Sequence, residues 1–194
     1  MMIAVIAILA VLILYFISTY NSFIVIKKRI IASIQEIGNQ LKRQADLIPN
    51  LVESVKGYMT HEQKALDKIT DARKDVLNAL DSKNTQKMVD AGSRLQQALA
   101  PIRAVFESTP QLQAAGPTSK LMDELRDTAD KVMYARRTLI DLVADYNTKV
   151  ATIPSNIVAS LFGFKAEEGL KMPGEGDYTT VSEKDTKTPE VKLN

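Results

Sequence analysis

Twenty-six residues pass before the first charged side chain, Lys27, and no other feature limits the chain's possible folds so strongly. Residues 1–17 are all apolar or aromatic, and Phe23 to Ile26 extend the block beyond a short polar but uncharged interval, residues 18–22, that begins with Ser18, Thr19 and Tyr20. A hydrocarbon core of about 30 Å takes roughly 20 helical residues to cross, so residues 1–26 are long enough to span it with some tilt. Tyr15 and Tyr20 stand where interfacial aromatics are favoured. A cleaved secretory signal would need a basic region before the apolar block and small residues at a cleavage site, and neither is found. Cysteine is absent, which excludes a lipid-modified cysteine after the block as well as disulfides and thiolate metal sites. Lys27, Lys28 and Arg29 follow the block directly, and positive flanks stay on the cytoplasmic side. The expected topology is a single-pass protein of the inner cell membrane, N-terminus outside and the remainder in the cytoplasm. The same three cations are candidate contacts for anionic lipid.

Beyond the block the apolar spacing changes from continuous to helical. Ile30, Ile31, Ile34, Ile37 and Leu41 recur every three or four residues, which makes an amphipathic helix continuous with the anchor. Pro49 marks a kink or the start of a fresh helix, after which the stripe resumes from Leu51 to Leu80. A turn at residues 81–84 leads to a helix from Met88 to Phe106, with Asn84 or Thr85 as its cap. Residues 108–119 hold Pro110, Gly116 and Pro117 and are expected to form a loop. A last long helix carries Leu121, Leu125, Val132, Leu139, Val143, Tyr146 and Val150, until Pro154 breaks it. A short segment follows, capped by Ser155 or Asn156, with Ile157, Val158, Leu161 and Phe162 on one face before Gly163. The predicted fold class is all-α: an N-terminal transmembrane helix, residues 1–26, continuous with an antiparallel bundle of three long helices and a shorter element, residues 27–164. From residue 165 onward five lysines and seven acids accompany few apolar residues, so 165–194 is expected to be a disordered polar tail.

Two strings in this pattern are specific. Residues 41–62 read LKRQADLIPNLVESVKGYMTHE and residues 146–164 read YNTKVATIPSNIVASLFGF; a Tyr-Asn pair, Tyr20 and Asn21, stands at the end of the apolar block. On these the chain resembles the LemA family of membrane-anchored helical proteins over roughly residues 1–165. The resemblance implies a transmembrane helix, a cytosolic helical bundle and no established catalytic activity. A magnetosome-associated branch of the family hints at membrane organisation. The chain departs from the usual pattern at residues 109–120, TPQLQAAGPTSK, where a Tyr-Pro pair is normal. It departs again at residues 135–147, ARRTLIDLVADYN, where Thr138 and Leu139 replace a first Tyr-Asn pair.

Composition narrows the function further. With 25 basic and 23 acidic side chains the net charge of +2 makes no field that would gather nucleic acid. The single histidine, His61, excludes any two-histidine metal motif, and Ala65 stands where a zinc hydrolase would carry the second. The densest polar constellation is Lys42, Arg43, Asp46, Asn50, Glu53, Lys56, Tyr58, His61 and Glu62. It reads either as a docking surface or as solvated helix pairs, with Asp46 and Asn50 satisfying backbone groups freed by Pro49; the second reading is preferred. Likewise Ile157, Val158, Leu161 and Phe162 either close the open end of the bundle, the preferred reading, or wedge into a membrane interface. The expected function is a non-enzymatic scaffold, self-associating or recruiting partners at the cytoplasmic face of the membrane. Its partners would be membrane lipid, further copies of itself and other membrane or cytosolic proteins, with no nucleic acid, small-molecule substrate or cofactor. The alternatives are a bundle enzyme with a carboxylate or metal site, and a membrane-linked sensor or adaptor.

Overall fold

The computed structural model describes residues 1–59 and 62–171. Every regular element among them is a helix: α1 (Met2–Val55), α2 (Gln63–Asp81), α3 (Thr85–Ser108), α4 (Pro110–Ala114), α5 (Gly116–Ala151) and α6 (Ser155–Phe162). The all-α expectation holds, with one more long helix than the sequence reading counted, because the chain breaks at Gly57 and not at Pro49.

α1 runs unbroken for 54 residues, about 80 Å at 1.5 Å per residue. Its first residues, up to Leu14, are exposed all round, Tyr15 and Phe16 are partly buried against the core, and from Thr19 onward one face is buried at Thr19, Phe23, Ile30, Ile37, Leu41, Ala45, Ile48, Leu51 and Val55. α5 lies antiparallel along this face: Arg43 pairs with Glu124 near one end, and Phe23 meets Tyr146 near the other. The α2–α3 hairpin covers only the far half of α1. Leu80 of α2 faces Gly38, and in α3 a β carbon at Gly92 would lie 2.8 Å from Leu41 Cδ2, so glycine there permits close helix approach.

Proline inside a helix removes one donor and strands the carbonyl four residues back. At Pro49 that carbonyl belongs to Ala45, and Arg73 Nε of α2 donates to it at 2.8 Å. The proline therefore costs the helix little, and α1 continues to Val55. Asp46 and Asn50 were the residues expected to compensate for Pro49. Asp46 instead accepts from Lys42 Nζ at 2.6 Å on the exposed face, and a different helix supplies the compensating donor.

The expected loop at 108–119 contains α4, which opens with Pro110 in its first turn and buries Leu112. Asn84 caps α3, its Oδ1 accepting from Lys87 N at 2.9 Å. Neither Ser155 nor Asn156 caps α6: Pro154 holds that position, and Ser155 Oγ donates to the Lys149 carbonyl of α5 at 2.7 Å. α6 ends at Gly163, whose φ of 72° lies in the left-handed region and turns the chain back on itself.

Residues 165–171 were expected to belong to a disordered tail, and the structure lays them along the bundle instead. Asn147 uses its side-chain amide as a surrogate backbone, donating to Glu167 O and accepting from Glu167 N, both at 2.9 Å. Further on, Lys171 N donates to Gln86 Oε1 at 2.9 Å, and Leu170 packs against the core. The strap from 163 to 171 thus occupies the position beside α1 and α5 that α2 and α3 leave open. The rest of the expected tail, residues 172–194, lies outside the described residues.

Arg73→Met removes the donor to Ala45 while keeping much of the side-chain stem. We expect a loss of roughly 1–3 kcal/mol, measured by denaturant unfolding in detergent. In a Pro49→Ala background, where residue 49 regains its own N–H, the same substitution should cost markedly less. Equal costs in the two backgrounds would show that Arg73 does not serve Pro49.

Candidate functional site

The two ends of the bundle carry different chemistry. At the end nearer the N-terminus, aromatic rings from three parts of the chain converge. The Phe23 ring stacks on Phe164 at 4.7 Å between centroids and meets Tyr146 edge-on at 5.7 Å. Tyr20 lies 4.8 Å from Phe162 and 5.6 Å from Phe164. The Tyr20-Asn21 pair and the 146–164 string that carried the family resemblance are therefore one packed unit. Ring pairs in these geometries add about 0.5–1.5 kcal/mol each beyond their buried area, so this cluster fixes the base of the bundle to α1.

Polar contacts surround the cluster. Lys149 Nζ donates to Ser22 Oγ and stands 5.7 Å from the centre of the Phe23 ring. Lys27 pairs with Glu167 at 2.8 Å, and its hydrogen bond with that carboxylate raises the ammonium pKa above its ordinary value. Of the three cations after the apolar block, Lys27 is thus engaged by the strap, while Lys28 and Arg29 are exposed. The Tyr146 hydroxyl is buried with no hydrogen-bond partner among the described residues, and burial is the main cause that pushes its pKa upward.

Beside the strap, the α2–α3 turn, α1 and α5 enclose a cleft of about 480 Å³. Its walls combine Ile30, Ile34, Leu139 and Val143 with Asn84, Gln86, Glu167 and Glu168. Among the described residues, no group of three or more His, Asp or Glu side chains is close enough to hold a metal ion.

The polar constellation of residues 42–62 lies at the opposite end and does not converge. Lys42 pairs along the helix with Asp46, and Arg43 reaches across to Glu124 of α5, Nε to Oε1 being 3.0 Å. Asn50 and Glu53 line a shallow groove with Ser54, Pro117, Lys120 and Glu124, whereas Glu62 borders a separate one beside Pro101. His61 lies outside the described residues.

The face of Ile157, Val158, Leu161 and Phe162 divides. Val158 is fully buried and closes the bundle end, but Ile157 is 55 %, Leu161 67 % and Phe162 52 % exposed. A second apolar patch went unnoticed in the sequence: Met133, Tyr134 and Ile140 project outward from the middle of α5, alongside Arg137. Its signal is legible in retrospect, since these residues fall between the positions of the buried stripe that Val132, Leu139 and Val143 define.

Asn147→Ala should release the strap, and we expect hydrogen exchange at the Glu167 amide to accelerate about tenfold or more, with the helices unaffected. Unchanged exchange would mean that the strap is held without Asn147. The raised values of Tyr146 and Lys27 give a pH dependence of one sign: the folded state holds both protons more tightly than the unfolded chain. Their contributions are complete below the ordinary values of 10.0 and 10.5 and are lost as pH rises through the folded ones. Alkaline unfolding above about pH 10 should accordingly be less steep in Tyr146→Phe, and at neutral pH that variant should be as stable as the parent or more so.

A protein-family model described as LemA family matches residues 33–191. No curated protein matches the chain.

Proposed function

This chain belongs to the LemA family, and from that premise we propose that it is a single-pass, membrane-anchored helical scaffold. Its bundle would stand on the cytoplasmic face and act by self-association or by recruiting partners, in a role of membrane organisation rather than catalysis. The observation that carries this reading is α1. One unbroken helix begins as an exposed apolar segment long enough to cross a bilayer and ends as the central helix of the bundle core. No flexible linker separates anchor from domain, so an orientation set by the membrane passes directly to every surface of the bundle. Rigid presentation of this kind suits a protein that orders neighbours on a membrane.

Lys27, Lys28 and Arg29 support the cytoplasmic orientation through the bias of positive flanks. The outward patch of Met133, Tyr134, Arg137 and Ile140 supports the interaction role, because Met, Tyr and Arg are enriched where proteins bind one another. The constellation around Lys42, Arg43, Asp46, Asn50 and Glu53 is a second candidate surface, with ion pairs exposed enough to exchange partners at little cost.

Full-length protein extracted with its lipids into native nanodiscs and sized by mass photometry tests the reading. We expect assemblies of defined size above the monomer, or retained partner chains, and Tyr134→Ala combined with Met133→Ala should reduce them without lowering unfolding stability. Uniform monomers with no retained partner would overturn the scaffold reading.

A further inference from the structure

We propose that the base of the bundle is a second membrane contact, in which α6 and the turn before it lie in the lipid headgroup zone with Ile153, Ile157, Leu161 and Phe162 reaching the acyl boundary. The inference rests on α1 crossing the membrane, the reading proposed above. Its own ground is a juxtaposition that the fold creates. The chain has two long charge-free stretches, residues 1–26 and residues 150–164, and they lie far apart in sequence. The antiparallel course of α5 sets the second beside the end of the first.

The register is given by contacts. Tyr146 meets Phe23, Lys149 bonds Ser22, and Phe162 meets Tyr20, so the turn at 152–154 lies alongside α1 at or before Thr19. Tyr20 precedes Lys27, the first charged side chain of α1, by two helical turns, which places α6 about 10 Å to the apolar side of that charge. At the same level the face of α1 turned away from the bundle is open and uncharged, with Ile17 53 % and Val25 55 % exposed beside the exposed polar residues Ser18 and Asn21. A bilayer that accommodates this face up to Lys27 therefore extends past α6. Interfacial helices bury their apolar face about 5–10 Å into the headgroup boundary, which matches the offset.

The exposed side chains of the base fit that environment. Ile153 is 81 % and Leu161 67 % exposed, and no charged side chain interrupts them between Lys149 and Lys165. Lys149 turns inward to Ser22, while Lys28, Arg29 and Lys165 are exposed and can meet anionic headgroups. Two polar groups of the base are served within the protein, Ser155 Oγ donating to Lys149 O at 2.7 Å and Phe164 N to Ala159 O at 2.9 Å, whereas Asn156 Oδ1 and the Tyr146 hydroxyl are buried with no partner among the described residues. Polar groups satisfied internally lower the cost of leaving water. With α6 seated, the bundle is held at two points and its tilt against the membrane is restricted.

The chain has no tryptophan, so one introduced residue reports its own depth. Full-length Leu161→Trp, reconstituted in phosphatidylcholine–phosphatidylglycerol vesicles, is compared with Leu9→Trp in the apolar segment and Met133→Trp on α5. Lipids brominated near the headgroup or deep in the acyl chain act as quenchers. We expect blue-shifted Leu161→Trp emission quenched most by the shallow bromines, Leu9→Trp quenched by the deep ones, and Met133→Trp by neither. Leu9→Trp quenched while Leu161→Trp is not would overturn the second contact and leave the anchor standing; an unquenched Leu9→Trp would remove both. A blue shift at Leu161→Trp that is insensitive to brominated lipid and disappears on dilution into excess lipid would assign this face to another copy of the chain, and so also overturn the proposal.

Discussion

Along one face of α1, the buried row from Phe23 through Ile30, Ile37 and Leu41 packs against the row on α5 that includes Leu125, Leu139, Val143 and Tyr146. This antiparallel contact is the spine of the molecule. α2 and α3 lean on its far half, α6 closes its near end, and the strap of residues 163–171 covers the stretch between them. Because α1 is one helix, the spine also fixes where the bundle stands relative to the apolar segment. A shift of α5 along α1 by a single turn, 5.4 Å, would separate Phe23 from Tyr146 and Arg43 from Glu124 together.

Two devices keep that long helix and its open flank intact. Within α1, Arg73 supplies the hydrogen bond that Pro49 removes, so a residue that ordinarily ends or bends a helix sits inside this one, six residues before its end at Val55. On the flank, the Asn147 amide binds both backbone groups of Glu167, and the Lys27 ammonium holds the Glu167 carboxylate. Here an extended segment does the covering that a third helix does in the other half. The cleft beside it remains because a strap of single backbone width fills less volume than a helix with its side chains.

Much of this architecture was legible in the residues. The charge-free opening, the three- and four-residue apolar steps and the breakers at Pro110, Pro117 and Pro154 identify an apolar helix leading into a bundle, whereas the break at Gly57 was expected at Pro49; the family match is consistent with the bundle. Less legible was the point at which the apolar segment becomes bundle. Residues 19–26 are apolar enough for lipid, yet Thr19 and Phe23 are buried against protein on one face while Val25 is exposed on the other. Hydropathy averages over the circumference of a helix and does not register that division. The strap was missed for a related reason: its polar hold comes from backbone hydrogen bonds to the side chains of Asn147 and Gln86 and from one ion pair, which leave no periodic signal.

Sequence alone determined helix content, the length of the apolar opening and the faces that α1 and α5 present to each other, because these depend on residue type and on spacing within one element. Only the tertiary structure decided that Ala45 is served by Arg73, that Tyr20 and Phe23 close on Phe162, Phe164 and Tyr146, and that two charge-free stretches share one level of the molecule. Each of these joins residues dozens to more than a hundred positions apart. Their meeting is set by the register of one helix against another, which depends on how whole rows of side chains interlock and is encoded in no single segment.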